Sequence, residues 1–293
     1  MASVKELRLR IKALKNSSKM TAALKMVSAG KLKKSQDGYN RNKPYYQRML
    51  EMLDRVLASV EDIAHPLMVQ RPLQNIRYYI IASDRGLCGG FNNNLFKTFN
   101  RRHSLAATTQ AAGIGRRARE FVKRQVGLSY VAKEDLLNTP SYANAQAIAN
   151  VIMADFLAGK CDEVILVFNQ YKSVLSQVPS FVSILPFKND ERRDENATEE
   201  KSANGYIDQY FLEPDAASLF AELLPKLVTL QIFRAMLENA VGEHSARMTA
   251  MDSATKNTKE LIGSYTLTAN RLRQAAITRE LIEIVSGAEA LKG

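Results

Sequence analysis

Heptad spacing of apolar residues over the first 63 positions is the strongest constraint on this chain, because a helix that long cannot be buried by one compact domain alone. Counted from Val4 and Leu7, the a and d positions run through Ile11, Leu14, Ser18, Thr21, Lys25, Ser28, Leu32, Ser35, Tyr39, Asn42, Tyr46, Met49, Leu53 and Val56 to Val60 and Ile63. Both ends of the series are apolar and its middle is small or polar. Met20, Leu24 and Val27 lie on a neighbouring stripe there, so the seam is expected to rotate. Pro44 removes one hydrogen bond and is expected to kink the helix without ending it, because the heptad resumes directly after it. The reading is one helix over 3–62, about 90 Å long at ~1.5 Å per residue.

Such a helix needs a second one beside it, and the C-terminal third supplies it. From Ala216 to about Ser286 only Pro225, Gly242 and Gly263 interrupt helix-forming sequence. Its seam runs through Met248, Met251, Thr255, Thr258, Ile262, Tyr265, Ala269, Leu272 and Ala276, then shifts to Ile277, Leu281 and Ile284. Small residues at these positions allow close backbone approach but bury little apolar area. A seam this slim is expected where something else surrounds the pair.

The middle follows a different pattern. Ile76–Ser83 reads as a strand that enters the turn Gly86-Leu-Cys-Gly89-Gly90, and a helix starts at Asn92. Helices are expected at Arg116–Gln125 and at Tyr142–Leu157, the latter closed by Gly159. Val164–Tyr171 and Val178–Phe187 read as strands. Strands alternating with helices imply a partly parallel sheet. Residues 188–204 are charged and almost free of apolar side chains, so a loop or disordered insert is expected. The organisation is helix (1–63), inserted α/β domain (75–205), helix (209–288).

The net charge is +11, and residues 1–43 hold twelve Lys/Arg against Glu6 and Asp37. From 215 onward nine basic and nine acidic residues cancel, so the excess is read as lying on the first segment. That stripe must face an acidic partner, a phosphate-bearing polymer or water. No apolar run approaches the length of a membrane span, and residues 1–10 do not resemble a secretory signal. Cys88 and Cys161 have no metal-ligand or redox spacing, which fits a reducing cytosolic setting.

Few motifs point to chemistry. The Gly86–Gly90 turn lies where a phosphate could sit on helix amides, but it lacks both G-K-[ST] and G-x-G-x-x-G. It is read as a tight strand-to-helix turn that needs positive φ and is built on Gly86, Gly89 and Gly90. Asp84 and Arg85 beside it read as a local ion pair or cap. His65, His103 and His244 are scattered, and no hydrolase or zinc signature occurs. The polar residues among apolar ones after Arg271 suggest a helix end that touches several surfaces at once. A basic coiled coil that binds nucleic acid and a nucleotide-dependent enzyme built on the central domain are the alternatives.

Four stretches resemble one family: 19–32 (KMTAALKMVSAGKL), 83–92 (SDRGLCGGFN), 245–257 (SARMTAMDSATKN) and 277–290 (ITRELIEIVSGAEA). Their content and order resemble the γ subunits of bacterial F-type ATP synthases. The resemblance implies a mixed α+β and α/β fold. A long antiparallel coiled coil of the terminal helices carries an inserted Rossmann-like α/β domain. It implies a non-catalytic rotor at the cytoplasmic face of the bacterial membrane, with no cofactor of its own. Its partners would be the α and β subunits, the ε subunit and the membrane ring that proton flow turns.

By position, Arg273 and Gln274 would meet the β catch loop. Arg247, Thr278 and Glu280 match coupling positions of the upper shaft. Leu24 and Lys25 match the step that meets the acidic lever of β, and Tyr210 and Glu213 match foot residues that face the rotor ring. Leu24 stands where Met is usual and Gly30 where Ala is usual; Leu preserves volume, whereas Gly softens a helix by about 1 kcal/mol relative to Ala.

Overall fold

The computed structural model describes residues 4–58, 65–103, 108–125, 129–130, 140–187 and 215–290. The chain divides into two compact units, one of Lys31–Ala246 and one of Met1–Gly30 with Arg247–Gly293. Helices α1 (Val4–Ala58) and α5 (Ala216–Ala290) contribute to both. α1 continues through Pro44 and α5 through Pro225, as the resumed periodicity implies.

The larger unit is built on a five-stranded sheet. In chain order it holds β1 (Asn75–Ile81), α2 (Phe91–Arg102), β2 (Thr108–Ile114), α3 (Arg116–Arg124), β3 (Ser129–Tyr130), α4 (Tyr142–Leu157), β4 (Glu163–Tyr171) and β5 (Gln177–Leu185). The strand order is β3-β2-β1-β4-β5. The first four are parallel, and β5 returns antiparallel to β4. The chain steps outward from β1 to β3, then crosses back to lay β4 on the other side of β1. That reversal is the mark of a doubly wound sheet.

Strand periodicity sends alternate side chains to two separate cores. Ile76, Tyr78 and Ile80 pack with Leu95 and Phe99 of α2 and Ala118 and Val122 of α3. Tyr79 and Ile81 face the opposite layer, with Ile148, Ile152 and Phe156 of α4, Leu53 of α1 and Leu224 of α5. Arg77 also points to that side, where its guanidinium pairs with Asp155 and donates to Gln110 Oε1 at 2.6 and 2.9 Å. Tyr79 lies beside it, and burial pushes its phenol up to about 12.

The sequence pattern does not announce β2 and β3. β2 (TTQAAGI) lacks the bulky residues that mark a strand, and the structure shows why it uses small ones. A Cβ on Gly113 would come within 2.4 Å of the Arg119 nitrogen, so α3 packs directly on the strand backbone. Gly115 then takes φ +91, and a Cβ there would meet the Ala82 carbonyl oxygen at 2.2 Å. The Gly113-x-Gly115 pair therefore serves close packing rather than a ligand. The 188–204 stretch lies outside the described residues.

In the smaller unit the two helices run antiparallel, since Thr21 lies against Thr255 and Lys25 against Asp252. Along all of α1, every expected a and d position from Val4 to Val56 is buried or half-buried except Lys25. The seam does not rotate in its polar middle: Met20 is 66% and Val27 56% exposed. Ser18, Thr21 and Ser28 hold the original register instead. Their small side chains let the helices approach, and two of the hydroxyls donate within α1, Thr21 to the Ser18 carbonyl at 3.1 Å and Ser28 to the Leu24 carbonyl at 2.7 Å.

Candidate functional site

The contact between α1 and α5 in the smaller unit is polar at its centre. Thr21 Oγ1 and Thr255 Oγ1 are 2.7 Å apart. One turn away, Lys25 Nζ donates to Asp252 Oδ1 at 2.6 Å, and Lys256 reaches the other carboxylate oxygen at 3.0 Å. Hydrogen bonds from Lys25 and Lys256 hold the Asp252 carboxyl below the usual carboxylate range. Leu24 is half-buried beside this contact, and Arg247 is buried on α5. Sequence reasoning missed Asp252. Its signal was its placement four residues before Lys256, among otherwise uncharged seam positions.

The seam on α5 is followed from Met248 to Leu272 as expected, with Met251 and Ala269 buried. Beyond Leu272 the expectation fails: Ala276, Ile277, Leu281 and Ile284 are all exposed, as is every residue from Arg273 to Glu289. The reason is length. Counting outward from Thr21–Thr255 at equal rise, Val4 comes opposite about position 272. The described α1 begins there, and among the described residues no helix accompanies α5 beyond it.

The bulky apolar side chains of this overhanging end cover about half of its circumference, and Arg279, Glu283 and Ser286 lie on the rest. At about 100° per residue, Arg273, Ile277, Glu280 and Ile284 share one face, while Gln274, Thr278, Leu281 and Val285 share the other. Ile277 is 49% exposed, Leu281 56%, Ile282 60%, Val285 61% and Ile284 67%. An exposed apolar stripe this wide marks a surface that another molecule covers. Thr278 donates its hydroxyl to the Gln274 carbonyl at 3.0 Å, so it contributes a methyl rather than a free donor to its surroundings. The structure thus groups Leu24, Lys25 and Arg247 in the paired region and Arg273, Gln274, Thr278 and Glu280 on the unpaired end. Tyr210 and Glu213 lie outside the described residues.

The glycine-rich turn is stapled from within the larger unit. Asn92 Oδ1 accepts from the Ser83 amide at 3.2 Å, and Asn92 Nδ2 donates to Ser83 Oγ at 2.7 Å and Cys88 Sγ at 3.3 Å. Positive φ falls on Leu87 (64°) and Gly89 (57°), not on Gly86, and Gly90 begins α2 at φ −80°. The turn thus has the positive φ expected of it, at one of its three glycines and at Leu87. A Cβ at Gly90 would sit 3.1 Å from the exposed Asn94 side chain, a close contact that a small shift of that side chain relieves. Asp84 is a cap: its Oδ1 accepts the Arg116 amide at the start of α3 at 2.8 Å.

A doubly wound sheet holds ligands in the crevice beyond the C-terminal ends of its strands, where the order reverses. Here protein fills that place. Asn169 of β4 donates to the Phe91 carbonyl at 3.1 Å, and Gly242 of α5 lies so near the Phe91 ring that a Cβ would be 2.9 Å from it. Among the described residues no group of three His, Cys, Asp or Glu side chains could hold a metal ion. No helix of the described residues is long and apolar enough to cross a membrane.

Residues 3–291 match the family model described as ATP synthase. The ATP synthase gamma chain of Trichlorobacter lovleyi is 42% identical over 299 residues, with all of both chains covered. Those of Desulforamulus reducens (41%) and Geobacter metallireducens (40%) are similar over the full length of both chains. Among solved structures, a chain from the rotor of the Euglena gracilis mitochondrial ATP synthase matches with TM-score 0.64 at 19% identity. It covers 94% of this chain and 98% of its own. A chain from the central stalk and c-ring of the Tetrahymena thermophila mitochondrial enzyme matches with TM-score 0.55 at 20% identity over 80% of this chain. These two distant likenesses speak for the fold, and nothing among the relatives favours a nucleic-acid-binding coiled coil. With a full-length family match and full-length relatives at about 40% identity, the chain belongs to the ATP synthase gamma-chain family.

Proposed function

We propose that this chain is the central rotor of a proton-driven bacterial ATP synthase, turning inside a ring of α and β subunits and doing no chemistry itself. The observation that carries the reading is the unpaired end of α5, which exposes Ile277, Leu281, Ile282, Ile284 and Val285 over about half of its circumference. A surrounding ring of subunits can cover the apolar stripe on one side and meet the charged side chains on the other. The polar Thr21–Thr255 and Lys25–Asp252 contacts hold the helix pair in register with little bulk.

In this reading Arg273 and Gln274 grip the β subunit near the catch loop, and Thr278 and Glu280 contact the ring from opposite faces. Leu24, Lys25 and Arg247 form the coupling step, with Lys25 shared between Asp252 and an acidic lever of β. Tyr210 and Glu213 face the membrane rotor ring, and the ε subunit binds the α/β domain. The protein works at the cytoplasmic face of the membrane. Cofactor binding is assigned to the surrounding subunits, a view supported by the filled crevice at Phe91 and Gly242. Reconstitution tests the reading. Purified chain added to α and β subunits should yield one ATP-hydrolysing complex in which this chain rotates. Failure to assemble, or hydrolysis with no rotation of a bead on this chain, would refute it.

A further inference from the structure

The α1 stripe is not the only concentration of positive charge. Residues 84–124 hold nine Lys/Arg against Asp84 and Glu120, an excess that acidic stretches elsewhere conceal in the whole-chain balance. Topology gathers much of it at one corner. α2 and α3 both cross back over the same side of the sheet to start the neighbouring parallel strands β2 and β3. Their C-terminal turns therefore end at the same edge. The rings between them confirm the adjacency: Phe96 stacks on Phe121 at 4.2 Å and Phe99 lies 5.9 Å from it. Lys97, Arg101, Arg102, Lys123 and Arg124 are all exposed around those rings.

Cations in a last helical turn complement the helix dipole, but one or two per helix suffice for that. Lys97 stands a full turn earlier. The acids on this side are already engaged: Glu120 of α3 pairs with Arg117 at 3.0 Å, and Glu163 accepts a hydrogen bond from Ser183 at 2.9 Å. On the opposite face of the sheet, α4 carries Asp155 as its one ionisable carboxylate and no Lys or Arg.

We propose that the outer face of α2 and α3 docks an acidic segment of a partner protein. Charge complementarity sets the sign, and the composition selects the class. Three of the five cations are Arg, whose planar fork matches carboxylates two oxygens at a time. No large hydrophobic side chain of α2 or α3 is exposed, so the face has nothing to insert into a bilayer. It has no free aromatic ring on which a base could stack, since Phe96 and Phe121 stack on each other. The surface belongs to the larger unit and is separate in sequence from the α1 stripe.

The test uses the full-length chain with the α1 stripe weakened by Lys12→Gln, Lys15→Gln and Lys19→Gln, so that the stripe does not dominate. In that background a fluorescent polyglutamate peptide, phosphatidylglycerol vesicles and a polyuridine RNA are titrated with and without Lys97→Gln, Arg101→Gln and Arg124→Gln. Three exposed ion pairs of ordinary strength amount together to about a tenfold loss of peptide affinity, shrinking as salt rises. Each single substitution should cost about twofold, which keeps the test open should the triple variant fold poorly. A change in peptide affinity below twofold for the folded triple variant overturns the proposal. Vesicles or RNA that depend on these three residues more strongly than the peptide does overturn it too.

Discussion

Lys25 Nζ lies 2.6 Å from Asp252 Oδ1, so a cation that sequence resemblance assigns to an external acidic partner already has a carboxylate on the neighbouring helix. Asp252 holds Lys256 with its other oxygen. Any outside carboxylate must compete with Asp252 for Lys25, which makes Asp252 a setting for how strongly this step of the helix pair engages its surroundings.

Asp252 gives a pH dependence of defined sign. Its folded-state pKa is depressed, so its stabilising contribution is complete above the ordinary carboxylate value and is lost as pH falls through the lowered one. In thermal melts across the acid range, Asp252→Asn should flatten part of the acid-side decline of the wild-type chain. Parallel curves for both proteins would show that the ion pair contributes nothing.

Glu238 behaves the opposite way. It is buried on α5, where Arg234 Nε donates to it at 2.9 Å, the Tyr171 amide at 3.3 Å and the Tyr39 hydroxyl at 3.4 Å. Burial pushes its carboxyl up, against the pull of Arg234. Between the unfolded and the raised folded pKa the native state binds the extra proton, so stability falls as pH climbs through that window. Glu238→Gln should remove this slope while keeping an acceptor for Arg234. Glu238→Leu strands Arg234 against the Tyr46 ring and should cost roughly 3 kcal/mol in denaturant melts. A leucine variant as stable as wild type would mean the network is dispensable.

Two glycines in the long helices should respond with opposite sign when changed to Ala. A Cβ added at Gly30 would meet nothing within 4 Å, so Gly30→Ala should stabilise the helix by up to about 1 kcal/mol. Gly242 would place its methyl 2.9 Å from Phe91 and 3.3 Å from Gln177, and overpacking of about 1–3 kcal/mol outweighs the propensity gain. Equilibrium unfolding of both variants decides the matter, and a shared sign would refute it.

Ending the chain at Ala276 should leave the melting temperature of the isolated protein unchanged, because residues 273–289 are exposed throughout. The same truncation should weaken assembly with α and β subunits or the coupling of hydrolysis to rotation. Loss of stability in the isolated chain would show that the end folds back onto its own protein.

The helix pair was legible because its signal is a period, and a period survives any context. The a and d positions named from Val4 to Val56 are, Lys25 apart, those the structure buries or half-buries, Ser18, Thr21 and Ser28 included, while Val60 and Ile63 lie outside the described residues. β2 was not legible because Ala111, Ala112 and Gly113 were chosen by the approach of α3, a contact that no local pattern records. The second basic surface was hidden by arithmetic, as its charge is cancelled in sequence but not in space.

By itself the sequence determined that two long helices must flank an α/β insert, which residues form their seam and which family motifs they carry. These follow from periodicity and local chemistry. Tertiary structure decided where the seam stops, since that depends on where α1 begins opposite Leu272. It also decided that Lys25 is held by Asp252 and that Phe91 and Gly242 fill the crevice of the sheet. Each of these joins residues more than a hundred positions apart, and only the folded chain sets which of them meet.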